Sequence, residues 1–344
     1  MLGVAMLTAG IAFWQQYQEL ATRAQLLTRR YSIDPALLSG ALPLANDAFP
    51  DPHGAPSDSR FSPRPESCQQ CIPRHIHHTY KTATLPPEYE AIRLECIAMH
   101  PGWNFTLWTD ASARALIEER YGTAAALNWD SYRTSNIQRA DALRYYVLHA
   151  FGGFYADLNI GCPRSWEPLR SFPAVFGRGL GFGLTNDFFA AAPAHPFIAQ
   201  LIHALPLHNR NFFLPYATVM LSTGPAFVTL RWLWAPLDVQ AGVRILPPEF
   251  FGGANHPLSF IQNRDAITGS WHSWDAEAVE WVGSAWQRLS GLWVLMLLLL
   301  VVAIAGLALG GRRLVPIGRR PHLPILPARQ SRNVAAFGWS KRDV

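Results

Sequence analysis

Apolar residues recur at two different spacings between residues 72 and 158, and the change in spacing separates strands from helices. Short runs such as FTLWT alternate with longer segments such as QRADALRYYVLHA, in which apolar side chains recur every three or four residues. In chain order the pattern predicts a strand at 72–80, a helix at 87–99, a strand at 105–109, helices at 111–121 and 138–150, and a strand at 154–158.

This alternation of strands and helices is typical of an α/β fold with a mostly parallel sheet and helices on both faces. Sheets of this kind bind their ligands beyond the carboxyl ends of the strands. The last predicted strand ends beside Asp157, and the helix before it stops at Gly152 and Gly153. The pattern therefore predicts a binding site around Asp157.

A long apolar stretch near the C-terminus changes the picture from a soluble domain to a membrane protein. Residues 289–311 contain no charged side chain, and at about 1.5 Å per residue they can cross a hydrocarbon layer of about 30 Å. The chain after them holds eight basic residues and one acid, although the whole chain has a net charge of only +5. The positive-inside rule then predicts a C-terminal transmembrane helix, a cytoplasmic tail and a lumenal domain. Because the positive charge is confined to the tail, no nucleic-acid partner is expected.

A second apolar segment, at residues 2–14, is shorter than a bilayer span requires. Three interpretations stay open for it: the core of a signal peptide, a truncated signal anchor and an interfacial helix. Residues 46–74 are rich in Pro, Ser, Asp and Arg, which is typical of a linker. The predicted organisation is an N-terminal, membrane-proximal part at 1–30, a stem at 31–71, a lumenal globular domain at 72–288, the transmembrane helix at 289–311 and the tail at 312–344.

The chain has four cysteines, Cys68, Cys71, Cys96 and Cys162. A lumenal protein with four cysteines can form one or two disulfides, but the sequence does not determine which residues pair. Cys68 and Cys71 form a CxxC motif, which is a weak zinc signal without a second pair of ligands. Disulfide bonding or unpaired thiols are favoured over zinc.

Candidate chemistry is concentrated around the segment GGFYADLN. A carboxylate at a strand end behind a Gly-Gly turn can hold a divalent cation against a diphosphate, and Asp157 has this position. Asp141 and Arg144 lie one helical turn apart on the preceding helix, so both can face the same crevice. Such a pair is more often a structural ion pair, but its proximity to GGFYADLN favours a functional site.

Three segments resemble glycosyltransferase family 32, in the region that carries its DXD motif: IPRHIHHTYKT, NFTLWTD and RADALRYYVLHAFGGFYADLNIGC. Later segments extend the resemblance to roughly residues 72–275: TNDFFAAAPAHPF, NRNFFLPYATVMLSTGP and TGSWHSWD. These later segments look more like the inositol phosphoceramide mannosyltransferase branch than the branch that initiates N-glycan outer chains. The resemblance implies a GT-A fold, a manganese or magnesium ion, a nucleotide-sugar donor such as GDP-mannose, and transfer with retention of configuration.

The resemblance also assigns roles around the DXD motif. Asp141 would bond the ribose or the sugar hydroxyls, and Arg144 would position the sugar and the first acid of the motif. That first acid is Asp157, a metal-binding and catalytic residue. Asn159 replaces the second acid, the expected direct metal ligand. Because an amide oxygen can coordinate a hard cation but brings no charge, this departure predicts weaker metal binding.

Further site residues follow by resemblance alone. Asn186 and Asp187 would lie near the transferred sugar or the acceptor hydroxyl. In the late segment TGSWHSWD, Ser270 would supply a hydroxyl to the diphosphate, Trp271 would close over the site, and His272 would bind the metal or the leaving phosphate.

A histidine cluster in the first predicted strand is a separate candidate. On an extended strand His75 and His77 share a face while His78 points away. In the family that the sequence resembles, this segment is the first strand with its nucleotide-side turn, so the resemblance implies a structural or base-contacting role more than metal binding.

The resemblance as a whole implies a membrane-anchored enzyme of sphingolipid metabolism. Its acceptor would be inositol phosphoceramide, a membrane lipid, and its catalytic domain would face the lumen of the Golgi or the endoplasmic reticulum; a regulatory subunit is compatible with this. Two alternatives stay open: a Golgi glycosyltransferase that acts on protein-linked glycans, and a catalytically inactive relative that serves as a partner subunit. The substitution at Asn159 is the argument for the inactive relative.

Overall fold

A computed structural model describes residues 18–38, 71–132, 136–179, 183–212, 214–251 and 258–264. The predicted transmembrane helix at 289–311, the apolar segment at 2–14 and the basic tail lie outside these residues. Within the described part of the chain, no helix has both the length and the apolarity needed to cross a bilayer. All described residues belong to a unit that spans residues 1–279.

The described strands are β1 (His75–Thr79), β2 (Asn104–Trp108), β3 (Gly153–Ala156), β4 (Ile160–Gly161), β5 (Ala174–Arg178), β6 (Leu184–Ala191), β7 (Val243–Ile245) and β8 (Gln262–Asn263). Six of them form the sheet that organises this unit, in the order β2-β1-β3-β6-β5-β7, and the short strands β4 and β8 pair separately. Strand β1 is parallel to β2 and β3, and β5 is parallel to β7, while β6 runs antiparallel to both of its neighbours. The predicted α/β fold with a mostly parallel sheet is thus confirmed. The exception, β6, follows β5 after a connection too short for a parallel crossover.

Ten helices are described, and the predicted helical segments all lie among them. They are α1 (18–30), α2 (Pro35–Leu38), α3 (Pro87–Met99), α4 (Asp110–Tyr121), α5 (Thr123–Asp130), α6 (Asn136–Phe151), α7 (Pro196–His208), α8 (Pro215–Ser222), α9 (Pro225–Leu233) and α10 (Leu237–Ala241). Their ends follow local rules. Thr109 and Ser112 form a capping box at the start of α4, and α3 begins with a proline in its first turn.

The end of α6 is determined by two glycines that also place the site. Gly152 and Gly153 have φ angles of 63° and 101°, which favour glycine. A Cβ atom at Gly153 would lie 2.4 Å from the carbonyl oxygen of His75, so the close approach of β3 to β1 also requires glycine there. The chain consequently reverses from α6 into β3 and carries Asp157 to the carboxyl end of the sheet.

Two hydrophobic clusters lie on opposite faces of the sheet. Tyr155 and Phe189 belong to one cluster together with residues of α6 and α7, and Phe154 and Phe188 belong to the other together with Cys96 of α3. Successive residues of a strand point to opposite faces. Helices therefore cover both faces, as the sequence predicts.

Residues 18–38 depart from the predicted organisation, in which the folded domain begins near residue 72. Ala24 and Tyr31 are buried in one hydrophobic cluster and Ile33 and Leu38 in the other. Ser32 forms a parallel bridge with Ile245 at the end of β7. The domain therefore includes residues that the sequence assigns to a membrane-proximal part and to a stem, because their apolar side chains complete the core.

One disulfide joins α3 to the segment that follows β4. Cys96 of α3 bonds Cys162, which follows β4. Cys71 is also disulfide-bonded, whereas Cys68 lies outside the described residues. The described cysteines therefore form disulfides and are not available as zinc ligands.

Candidate active site

The site lies where β3 ends, beside the antiparallel strand β6. Asp157 is the first residue after β3, and its backbone N–H donates to the carbonyl oxygen of Asp187 at 2.8 Å. The hydroxyl of Tyr155 donates to Oδ1 of Asp157 at 2.8 Å. Strand pairing and this hydrogen bond hold the Asp157 carboxylate in place at the carboxyl end of β3, where the side chain is 23% exposed.

Arg144 of α6 brings two carboxylates into one site. Its Nη2 lies 2.8 Å from Oδ1 of Asp141 and 3.4 Å from Oδ1 of Asp157. Its Nη1 donates to the carbonyl oxygen of Asn186, and its guanidinium carbon lies 4.6 Å from the centre of the Tyr155 ring. The structure thus brings Asp141, Arg144 and Asp157 together, as the sequence predicts.

Asp141 is fully buried behind this cluster. Oδ1 accepts from Nδ2 of Asn186 at 3.1 Å in addition to its ion pair with Arg144, and Oδ2 accepts from the hydroxyl of Thr223 at 3.1 Å. Tyr145 completes the network, since its hydroxyl donates to the carbonyl oxygen of Thr223 at 2.5 Å. Neither oxygen of Asp141 faces solvent, so this geometry favours a supporting role over the predicted bond to ribose or sugar hydroxyls.

Asn186 and Asp187 are neighbours on β6 with different surroundings. The side chain of Asn186 is buried against Asp141 and Tyr145 on the α6 side. Asp187 accepts a short hydrogen bond from the hydroxyl of Thr185 and lies close enough to Asp157 for their charges to interact. Asp187 is therefore the better placed of the two to reach a bound sugar.

The site carries more negative than positive charge. Burial raises the pKa of Asp141 to about 6, although Arg144 opposes the shift. Burial also raises the pKa of Asp187 to about 6, and the charge of Asp157 adds to it. Burial alone would lower the pKa of Arg144, but Asp157 and its other neighbours raise it instead, so the guanidinium stays charged. Three carboxylates around one guanidinium leave an excess of negative charge, which suits a divalent cation.

Asn159 lies two residues beyond Asp157, in the turn directly before β4. Its Nδ2 donates to Oδ1 of Asn263 at 3.3 Å, and its carbonyl oxygen accepts from the backbone N–H of Arg264 at 3.0 Å. Among the described residues, no group of three His, Cys, Asp or Glu side chains converges to hold an ion. The remaining predicted ligands and donor contacts, Ser270, Trp271 and His272, lie outside the described part of the chain.

The histidines of β1 have structural surroundings. Nε2 of His77 lies 2.9 Å from the carbonyl oxygen of Gly152, and Nδ1 of His78 lies 2.9 Å from that of Ala156. Burial lowers the pKa of His77 to about 3 and that of His78 to about 4, so both rings are neutral at physiological pH. These bonds tie β1 to the α6–β3 turn and to the end of β3, in agreement with the favoured structural role.

Sequence reasoning does not identify four polar residues of the site. Tyr145 fits the apolar pattern of a helix and Tyr155 that of a strand, so the sequence gives no separate signal for their hydroxyl groups. Thr185 precedes the noticed pair Asn186 and Asp187. Thr223 gives no local signal, because it lies 82 residues from the carboxylate that it bonds.

The buried strand β3 delivers the Asp-Leu-Asn segment to the carboxyl end of the mixed sheet, beside Arg144 of α6, at the position where the resemblance places the DXD motif of a sugar transferase. Residues 86–175 match the family model described as "Glycosyltransferase sugar-binding region containing DXD motif". The chain belongs to this family, glycosyltransferase family 32. It is therefore an enzyme of the glycosyltransferase class.

Two curated relatives are similar over most of the domain. The chain is 36% identical over 254 residues to inositol phosphoceramide mannosyltransferase 3 of Schizosaccharomyces pombe, which covers 72% of this chain and 70% of the relative. It is 35% identical over 240 residues to mannosyl phosphorylinositol ceramide synthase CSH1 of Saccharomyces cerevisiae, covering 67% and 61%. Among solved structures, the PaToxG glycosyltransferase overlaps with a TM-score of 0.38 at 16% identity, covering 47% of this chain and 69% of that one, and at this score it carries no inference.

Proposed function

We propose that this enzyme transfers mannose from GDP-mannose to inositol phosphoceramide, using a manganese or magnesium ion and a GT-A-type domain, with retention of configuration. The observation that carries the proposal is the 36% identity to an inositol phosphoceramide mannosyltransferase over 72% of the chain. The similarity covers 70% of the length of the Schizosaccharomyces pombe relative and 61% of the Saccharomyces cerevisiae relative. The acceptor is inferred from the names of these two proteins.

The residues of the site fit a divalent cation because of their surplus of carboxylates. Asp157 would hold the ion with a charged oxygen and Asn159 with a neutral one, and His272 is the further ligand expected from the sequence. When bound, such an ion supplies positive charge against the diphosphate that leaves the sugar.

The protein groups then hold the reactants in place. Arg144 remains protonated and fixes the Asp157 carboxylate, while Tyr155 orients the same carboxylate by its hydrogen bond. Preorganised charge of this kind lowers the barrier because it needs no rearrangement as the sugar–phosphate bond breaks. In a retaining transfer the acceptor hydroxyl can attack from the face of the leaving group, and we assign no nucleophile.

The acceptor is the point at which the proposal is most directly tested. Purified full-length protein would receive GDP-mannose together with inositol phosphoceramide in liposomes or, separately, a soluble mannooligosaccharide. We expect mannosylated lipid and no elongated oligosaccharide. UDP-galactose replaces GDP-mannose as the donor control and should give no product. Transfer to the oligosaccharide alone would refute the lipid acceptor and favour an enzyme of protein-linked glycans.

We also propose a Golgi or endoplasmic reticulum membrane as its location, with the catalytic domain in the lumen. The apolar segment at 289–311 and the basic residues after it support this orientation. The Cys96–Cys162 disulfide supports it independently, because disulfides persist in oxidising compartments. Protease added to sealed microsomes is expected to remove the C-terminal tail and spare the domain around Asp157. Digestion of the domain before detergent is added would contradict the lumenal assignment.

A further inference from the structure

A groove lies between α1 and α10 and takes no part in the site described above. Its volume is about 640 Å³. One side comes from α1, whose Leu26 and Leu27 contribute apolar surface and whose Arg23 and Arg30 contribute charge. The other residues that line it are Gln18, Glu19, Thr22, Leu237 and Gln240.

The rim of the groove exposes large apolar side chains. Leu26 is 62% exposed, Leu237 is 69% exposed, and Trp234, just before α10, is 65% exposed. The guanidinium carbon of Arg23 lies 4.9 Å from the centre of the Trp234 ring. Exposed leucine and tryptophan side chains beside arginines are typical of a protein face that enters the interface of a bilayer.

The charge around the groove favours an anionic partner. The stretch 188–237, which supplies Trp234 and Leu237, contains no Asp or Glu. In α1, residues 18–30 carry three arginines and one glutamate, and α10 carries one acid, Asp238. Guanidinium groups bind phosphate oxygens by charge-assisted hydrogen bonds, and phospholipid headgroups carry such phosphates in both leaflets.

The course of the chain points to a lipid surface and not to a soluble anionic protein. Three residues separate the apolar segment at 2–14 from Gln18, the first residue of α1. At about 3.3–3.6 Å per extended residue, this connection keeps the start of α1 within roughly 15 Å of the apolar segment, which the signal-anchor and interfacial-helix interpretations place in the bilayer. We propose that the groove between α1 and α10 is a membrane-docking surface, in which Leu26, Trp234 and Leu237 enter the headgroup boundary of a phospholipid bilayer and Arg23 and Arg30 bind lipid phosphates.

The test measures whether lipid reaches the groove in the full-length protein. Leu237→Cys would carry an environment-sensitive fluorophore, and the protein would be reconstituted in phosphatidylcholine vesicles with or without phosphatidylinositol. The described native cysteines are disulfide-bonded and do not compete for the label. We expect nitroxide-labelled lipid to quench this fluorophore several-fold more strongly than the same label at Leu94→Cys, an exposed position on α3.

Arginine variants test the charge contribution. Arg23→Glu with Arg30→Glu should reduce the quenching in phosphatidylinositol vesicles, whereas Arg23→Lys with Arg30→Lys should retain it. Equal quenching at positions 237 and 94 would overturn the proposal. So would a label at position 237 that is protected from both nitroxide lipid and aqueous iodide, since a protein segment would then cover the groove. Mannosyl transfer is not the readout, so the result is independent of the proposed acceptor.

Discussion

Replacing Arg144 with alanine is expected to abolish sugar transfer and to lower the free energy of unfolding by about 3–5 kcal/mol. Arg144 is 3% exposed and pairs with the fully buried Asp141 and with Asp157. Its removal leaves buried carboxylates without a counter-charge, and such a loss costs more than the intact pair contributes. Transfer assays and denaturant unfolding measure the two effects.

Two further variants separate the charge of Arg144 from its shape. Arg144→Lys keeps the charge, but a single ammonium cannot bond Asp141, Asp157 and the Asn186 carbonyl together, so we expect partial stability and little transfer. Arg114→Ala is the matched control, because Arg114 bonds Glu118 and Asp130 at the surface. The control should leave both the unfolding midpoint and transfer nearly unchanged. Full activity in Arg144→Ala would refute the assignment of the site.

Two substitutions within the Asp157-Leu158-Asn159 motif are expected to have opposite effects: one weakens sugar transfer, and the other lets it proceed at lower manganese concentrations. Asp157→Asn keeps the shape of the side chain and removes its charge, and transfer should fall about 10³-fold, which corresponds to about 4 kcal/mol of transition-state stabilisation. Asn159→Asp adds a carboxylate beside the same ion and should lower the manganese concentration that gives half-maximal activity about tenfold. Transfer as a function of manganese concentration measures both.

Asp130→Asn supplies the control for this pair. It makes the same chemical change on α5, where Asp130 bonds Arg114 and its side chain is 36% exposed. Neither transfer nor manganese dependence should change. Retained activity in Asp157→Asn would refute a metal site at this residue, and an unchanged manganese requirement in Asn159→Asp would show that position 159 does not touch the ion. Absence of transfer by the unmodified chain would refute the proposed donor or acceptor.

Local sequence signals determined the part of the fold that surrounds Asp157. The predicted helix at 87–99 coincides with α3, and the helix before the two glycines ends where their φ angles require. Asp141 and Arg144 are three residues apart, so the pitch of α6 alone places them on one side. Periodicity, glycine conformation and helical spacing act over a few residues, and a single sequence displays them directly.

The tertiary structure decided everything that depends on distant segments meeting. Thr223 donates a hydrogen bond to Asp141, which lies 82 residues earlier in the chain, and Cys96 forms a disulfide with Cys162, 66 residues later. Residues 18–38 join the core through Tyr31, Ile33 and the bridge from Ser32 to Ile245, although the sequence assigns them outside the domain. Hydrophobic burial is non-directional, so the sequence shows that these apolar side chains need a partner, and only the folded chain determines which one they contact.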